Sequence, residues 1–257
     1  GDKVTITGEN FGTDPSDISV SFNGTPAEFE LVDESTIVAT TPADYQTGSV
    51  TVTIHGYTMT GGAMFNPNSK GDVTVLYLQN YKQPFAKAND ESWKNGEWWT
   101  PAVWNQNAAS FNAKGNTTVS GMQYKSEEGL TLAFQNGWDK EAYTNGKMWQ
   151  VATLRPGKYR LEVTYAYTLV VTDAGNFISV LIAKGDSESD IPNVADLEQL
   201  NGVYVAYDKM GTANDSGTLV TPSFEVTETT DVVIGFLTSL AKGNSYFKVT
   251  ELKLILE

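Results

Sequence analysis

At 257 residues, with 40% hydrophobic content, 23 glycines and 9 prolines, the chain has room for one large or two modest ordered domains rich in turns. A formal net charge of −14, with no cluster of Lys and Arg to act locally against that field, excludes nucleic acid as a partner. No transmembrane segment is present, the absence of cysteine excludes disulfides and thiolate chemistry, and a single histidine, His55, argues against a His-dependent triad or a multi-His metal site.

The chain opens within an extended run, Lys3-Val4-Thr5-Ile6, and Gly1-Asp2-Lys3 does not begin a signal peptide, so an export signal or further domain is expected upstream. Strands are expected at Val4–Thr7, Ile18–Phe22, Thr36–Thr40 and Ser49–Ile54. In the second of these, Ile18, Val20 and Phe22 alternate with Ser19 and Ser21, the period of a strand with one buried face. Gly8 and Gly12 bracket Asn10-Phe11 in a tight turn, Asn23-Gly24 is a hairpin signal, and Pro42 ends a strand. His55 continues the alternating run Val50–Ile54 and is expected to be an outward strand residue. This is the pattern of a small β-sandwich.

Asn66–Asp72 combines turn residues with a charge pair and no apolar period, which puts a boundary between a domain at 1–68 and a second at 69–257. The second opens with the apolar run Val73–Leu78. Further on, Met148–Leu154, Phe177–Ala183, Asp231–Leu237 and Phe247–Leu256 read as strands, and Trp149 reads as core. Tyr159, Leu161, Val163, Tyr165 and Tyr167 alternate with polar or small residues, so both Tyr165 and Tyr167 are expected on the core face. Val194–Leu200 suits a short helix; no helix of ten residues is expected. The fold class is all-β, an immunoglobulin-like sandwich followed by a larger jelly-roll sandwich of the galactose-binding-like type.

Four segments in order, Val-Thr-Ile-Thr-Gly-Glu-Asn-Phe-Gly (4–12), Val-Ser-Phe-Asn-Gly (20–24), Ser-Thr-Ile-Val-Ala-Thr-Thr-Pro (35–42) and Gly-Ser-Val-Thr-Val-Thr (48–53), resemble the IPT/TIG immunoglobulin-like family. That resemblance implies a spacer or interaction module. Four later segments, beginning at Trp99-Thr-Pro-Ala-Val-Trp104, Asn145-Gly-Lys-Met-Trp-Gln, Leu154-Arg-Pro-Gly-Lys-Tyr and Thr230-Asp-Val-Val-Ile-Gly-Phe, are similar to an uncharacterised C-terminal domain. That domain follows IPT/TIG modules in Bacteroidetes outer-membrane lipoproteins. The architecture is similar to that of surface glycan-binding proteins of polysaccharide-utilisation systems, in which Ig-like spacers hold a terminal carbohydrate-binding domain away from the membrane. What the resemblance implies is a cell-surface, outer-membrane-anchored lipoprotein that captures polysaccharide without cleaving it, beside other outer-membrane glycan-uptake proteins. The alternative is a structural or adhesive surface module that meets protein, its exposed rings acting as interface anchors.

Candidate contacts follow from the aromatic residues. Trp93, Trp98, Trp99 and Trp104 fall in a polar segment broken by Gly96 and Pro101, where flat rings could stack on sugar faces while Asn and Gln side chains bind hydroxyls. Trp98 and Trp99 should point to opposite sides of an extended segment. A second cluster, Phe134–Tyr143, sets Trp138 among amides and carboxylates. The glycan contacts named on this basis are Trp98, Trp99, Trp104, Asn107, Asn136, Trp138 and Tyr143. Carboxylate pairs Asp139/Glu141 and Asp90/Glu91 are the only hint of a glycoside hydrolase, which needs two carboxyl groups across the scissile bond. No cofactor is expected; a structural calcium could be held by Asn89-Asp90-Glu91 or Asp186–Asp190.

Overall fold

The computed structural model describes residues 1–66, 69–88, 98–110, 120–137, 142–172, 175–200 and 205–257. It divides into two compact units, Gly1–Leu76 with Leu256, and Tyr77–Ile255 with Glu257. The fold is all-β; among the described residues its helices are two four-residue α-helices, α1 (Thr74–Tyr77) and α2 (Leu197–Leu200), and two single 3-10 turns, Pro15–Asp17 and Glu188–Asp190.

The first unit contains β1 (Lys3–Thr7), β2 (Ile18–Phe22), β3 (Thr25–Ala27), β4 (Phe29–Asp33), β5 (Thr36–Thr40), β6 (Gly48–Ile54) and β7 (Tyr57–Met64). They form two sheets, β1-β5-β4 and β3-β2-β6-β7. Alternation along β2 and β6 turns Ile18, Val20, Phe22, Val50 and Val52 inward against Ile37, Ala39, Phe11 and Tyr45. Gly8 is required by packing, because a Cβ there would fall 2.5 Å from the Phe11 ring. Asn23-Gly24 turns between β2 and β3 with positive φ at both residues, as the hairpin signal predicts. His55 is not a strand residue. Strand β6 ends at Ile54, and His55-Gly56 (φ 49° and 84°) is the two-residue turn into β7, with His55 exposed 3.5 Å from Asp17.

After β8 (Gly71–Asp72) and α1, the second unit contains β9 (Trp98–Trp99), β10 (Asn105–Gln106), β11 (Ser120–Lys125), β12 (Gly129–Asn136), β13 (Tyr143–Leu154), β14 (Gly157–Val170) and β15 (Phe177–Lys184). Strands β16 (Val205–Met210), β17 (Ala213–Val220), β18 (Phe224–Val226), β19 (Thr230–Leu240) and β20 (Ser245–Leu256) complete it. One sheet runs β10-β13-β19-β15-β16. The other runs β17-β14-β20-β12-β11-β9, with β18 paired to β14. Between them lies an aromatic core in which Phe134 meets Phe236 at 5.0 Å and Phe247 at 6.1 Å between ring centroids.

The two sheets differ on their outer sides. The five-stranded sheet is apolar on both faces, which is why β15 and β19 read as continuous Val/Ile/Leu runs. Its outer face, with Trp149, Leu181, Val233 and Leu237, is covered by Ile191 and Leu197, with Val194 and Leu200 beside them. Trp149 is core as expected, and Trp149→Ala should cost about 3–5 kcal/mol of stability, measurable by urea denaturation. The other sheet presents a polar outer face.

Candidate functional site

Burial removes most of the residues named from the sequence as sugar contacts. Trp99 and Trp104 are only 6% and 5% exposed. Trp104 donates its indole N–H to the Asn80 carbonyl at 3.0 Å and packs on Phe236, so it is part of the core. Asn107 is buried with every polar position used: its amide donates to the Asn145 carbonyl and to Glu188, and its carbonyl accepts from the Ser110 and Lys147 amides. Asn136 is likewise a buried brace, donating to the Leu240 carbonyl and accepting from the Ser245 amide. Tyr143 is buried, its phenol pushed up in pKa by burial, and accepts from Thr238. These five are corrected to structural roles. Trp93, Trp138, Asp139, Glu141 and Asn89-Asp90-Glu91 lie outside the described residues. Trp98, half-buried, remains. It diverges from Trp99 as strand alternation requires: Trp99 is in register with core-facing Met122, and Trp98 with Gln123.

That register places Trp98 on the polar outer face. In β11, β12 and β20 the residues Met122, Leu132, Phe134, Phe247 and Val249 face the core. Their neighbours Gln123, Thr131, Ala133, Tyr246 and Lys248 therefore face outward, and the pairs Gln123↔Thr131, Ala133↔Lys248 and Gln135↔Tyr246 set them side by side. Lys248 is 1% exposed and ion-paired to Glu128, whose other oxygen lies 3.8 Å from Lys125. Burial holds the Lys248 ammonium down to a pKa of about 8 against the opposing pull of Glu128. Both ammonium groups approach the Tyr246 ring, at 5.2 Å for Lys248 and 5.9 Å for Lys125. Lys125 pairs with Gly129 and Tyr246 with Gln135, six residues apart along β12, which is roughly 20 Å on a flat sheet. Contact over that distance requires a face curved inward.

Two oxygens on this face, Gln123 Oε1 and Thr131 Oγ1, are buried with no hydrogen-bond partner among the described residues. Buried polar atoms are normally satisfied, and these two, closed off from solvent on the strands next to β9, are exceptions. Tyr167 is the other departure from expectation. Two residues of β14, Ala166 and Tyr167, fall between the pairs Tyr165↔Gly217 and Thr168↔Asp215, where β17 has one. This bulge, with Tyr167 at φ 51°, restores the core alternation at Thr168 and Val170 and throws the Tyr167 ring to the outer side, 43% exposed. Sequence alternation alone placed it in the core. The polar members of the face were missed altogether, because outward polar residues in strands read as ordinary surface.

Other features carry less chemistry. The Asp190 carboxylate accepts from the Asp186 and Ser187 amides and the Ser187 hydroxyl, an internal cap that accounts for part of the Asp186–Asp190 run. No group of three or more His, Asp or Glu side chains poised for a metal occurs among the described residues. In the first unit, an apolar cleft of about 460 Å³ opens between edge strands β1 and β7, lined by Val4, Ile6, Phe11, Val52 and Met59. Thr5, Thr7, Glu9 and Thr60 line it as well. No described helix is long and apolar enough to cross a membrane.

Comparison with known proteins agrees with the two-unit organisation. Residues 1–69 match the IPT/TIG domain, and residues 79–235 match the family described as "Domain of unknown function (DUF5013)". No curated protein matches. Among solved structures, TmCBM61 in complex with β-1,4-galactotriose aligns at TM-score 0.39 and 10% identity, covering 61% of this chain and 90% of that one. A Bacteroides thetaiotaomicron protein provisionally named as sugar-binding aligns at 0.39 and 12% identity, covering 70% and 99%. The CBM22-1 xylan-binding domain from Paenibacillus barcinonensis Xyn10C aligns at 0.34 and 10% identity, covering 64% and 97%.

Proposed function

The chain belongs to the DUF5013 family, with an IPT/TIG domain ahead of it, and from that premise we propose that the larger unit is a non-catalytic glycan-binding domain. The observation that carries this reading is the half-buried indole of Trp98, turned by strand alternation away from its core-facing neighbour Trp99. An indole covers the apolar face of a pyranose. Glu128, a carboxylate that reaches this face, is tied to Lys248 and Lys125 and suits neither the proton donor nor the nucleophile of a hydrolase.

Affinity electrophoresis against xylan, xyloglucan, mannan, galactan, pectin and amylopectin tests the reading. At least one polymer should retard the chain, and Trp98→Ala should weaken retention about tenfold, or about 1.4 kcal/mol, with an unchanged circular dichroism spectrum. Retardation by none would overturn it, as would release of reducing ends from the retained polymer.

The setting is part of the same proposal. A surface lipoprotein held at the outer membrane, working in a polysaccharide-utilisation system beside other uptake proteins, is supported by the order of an Ig-like spacer and the larger domain that follows it. Antibody labelling of intact cells should reach the protein; labelling only after lysis would refute this placement.

A further inference from the structure

Building on the glycan-binding reading, we propose that one loop end of the larger unit is a second sugar-contact site, built from Thr172, Thr212 and Asn244. The connections β12–β13, β14–β15, β16–β17 and β19–β20 each cross from one sheet to the other. The pairs Asn136↔Ser245, Tyr143↔Leu240, Phe177↔Ser239, Ile178↔Met210 and Val170↔Ala213 bring all four crossings to the same end of the sandwich. Loops gathered on a rigid scaffold are where ligand contacts concentrate. Trp98, on β9 at the far margin of its sheet from β14 and β17, is not part of this end.

Three buried polar side chains fix the backbone here. Asn176 donates to the Val171 and Lys242 carbonyls and accepts from the Ala241 and Lys242 amides, tying the β14–β15 connection to β19–β20. The Ser245 hydroxyl accepts from the Val171 amide, and Asn136 accepts from the Ser245 amide. Gly137, at φ 72°, seats the Asn244 side chain, whose Oδ1 lies 1.9 Å from where a Cβ would stand. The Thr172 and Thr212 hydroxyls bond each other at 2.8 Å, joining β14–β15 to β16–β17. Thr172, Thr212 and Asn244 are all exposed, so their polar groups face solvent on a backbone set in place before any ligand arrives.

The chemistry of these three groups selects the ligand. Two hydroxyls that spend one donor between them, and one carboxamide, offer donors and acceptors side by side. The neighbouring O–H groups of a sugar both donate and accept, and match that set. A phosphate would meet the acceptor oxygen of the amide, and a divalent cation would find no carboxylate among the three.

The test uses the full chain, isotope-labelled for nuclear magnetic resonance, and short oligosaccharides made by partial acid hydrolysis of whichever polymer is retained in electrophoresis. Titration should move the backbone amide signals of Thr172, Thr212, Gly243 and Asn244. Trp98→Ala should keep a residual affinity for the same oligosaccharides, and adding Asn244→Ala and Thr172→Val to it should weaken that remainder at least about fivefold. The titration needs no substitution, so it decides the matter even where a variant fails to fold. Binding that leaves those four signals still, or a residual affinity untouched by the added substitutions, would overturn the inference while leaving glycan binding standing. Retention of no polymer would overturn both.

Discussion

Replacing Glu128 by alanine is expected to destabilise the larger unit by about 3–5 kcal/mol at neutral pH, because it strands a charge that is 1% exposed. Lys248 then has Tyr246 beside it and the like charge of Lys125 nearby, and must either stay ionised without its counter-ion or fold neutral. Lys248→Met should cost less than half as much, since Glu128 sits at the β11–β12 hairpin, is more exposed, and can be hydrated alone. Urea unfolding of the two variants decides the matter, and equal losses would mean that the pair contributes only as packing.

The same group sets a pH dependence with a definite sign. Lys248 titrates near 8 in the folded protein and near 10.5 when unfolded, so between those values the unfolded chain binds more protons. Stability contributed by this group is lowest below about pH 8 and rises as pH approaches 10.5. The parent should therefore gain on Lys248→Met across that window. Lys147, also lowered by burial, is present in both chains and cancels in the difference.

Gly235→Ala should be as damaging or worse, on the order of 4–5 kcal/mol or failure to fold. Gly235 lies in β19 opposite Trp149, at the centre of the five-stranded sheet. A Cβ there would fall 2.1 Å from the Met148 carbonyl oxygen and 2.7 Å from the Trp149 Cα, both backbone atoms that can move only with β13. Gly211→Ala is the control: its nearest contact would be 3.5 Å, and it should change stability by less than about 1 kcal/mol. Similar midpoints in urea for the two variants would refute the argument.

These expectations could not have been drawn from sequence, and the reason lies in particular residues. Strands with one buried face announced themselves: Ile18–Phe22 and Thr36–Thr40 were read to the residue, because alternation has a period that the chain displays directly. Strand β7, Tyr-Thr-Met-Thr-Gly-Gly-Ala-Met, went unread, since an exposed edge with two glycines has no apolar alternation to show. The phase of β14 was legible as far as Tyr165 and then lost, because a one-residue bulge leaves no mark in composition.

Among the described residues, the candidate site was legible only through Trp98. Trp99, Trp104 and Asn107 were singled out because large rings and amides look like ligand contacts, yet the same groups satisfy cores, and only neighbours distinguish the two uses. Conversely, Lys248 is a buried cation whose partner, Glu128, lies 120 residues away along the chain, so no local window holds the information that it matters.

The covering of one sheet by residues around Ile191 and Leu197 also separates the two sheets in time. Amide protons of β15 and β19, roofed on both sides, can exchange with solvent only when the whole unit opens, whereas those of β17, at the margin of the other sheet and mostly exposed, should exchange through small local fluctuations. The domain would then hold a slow-breathing sheet that preserves its form over hours and a faster margin at β17.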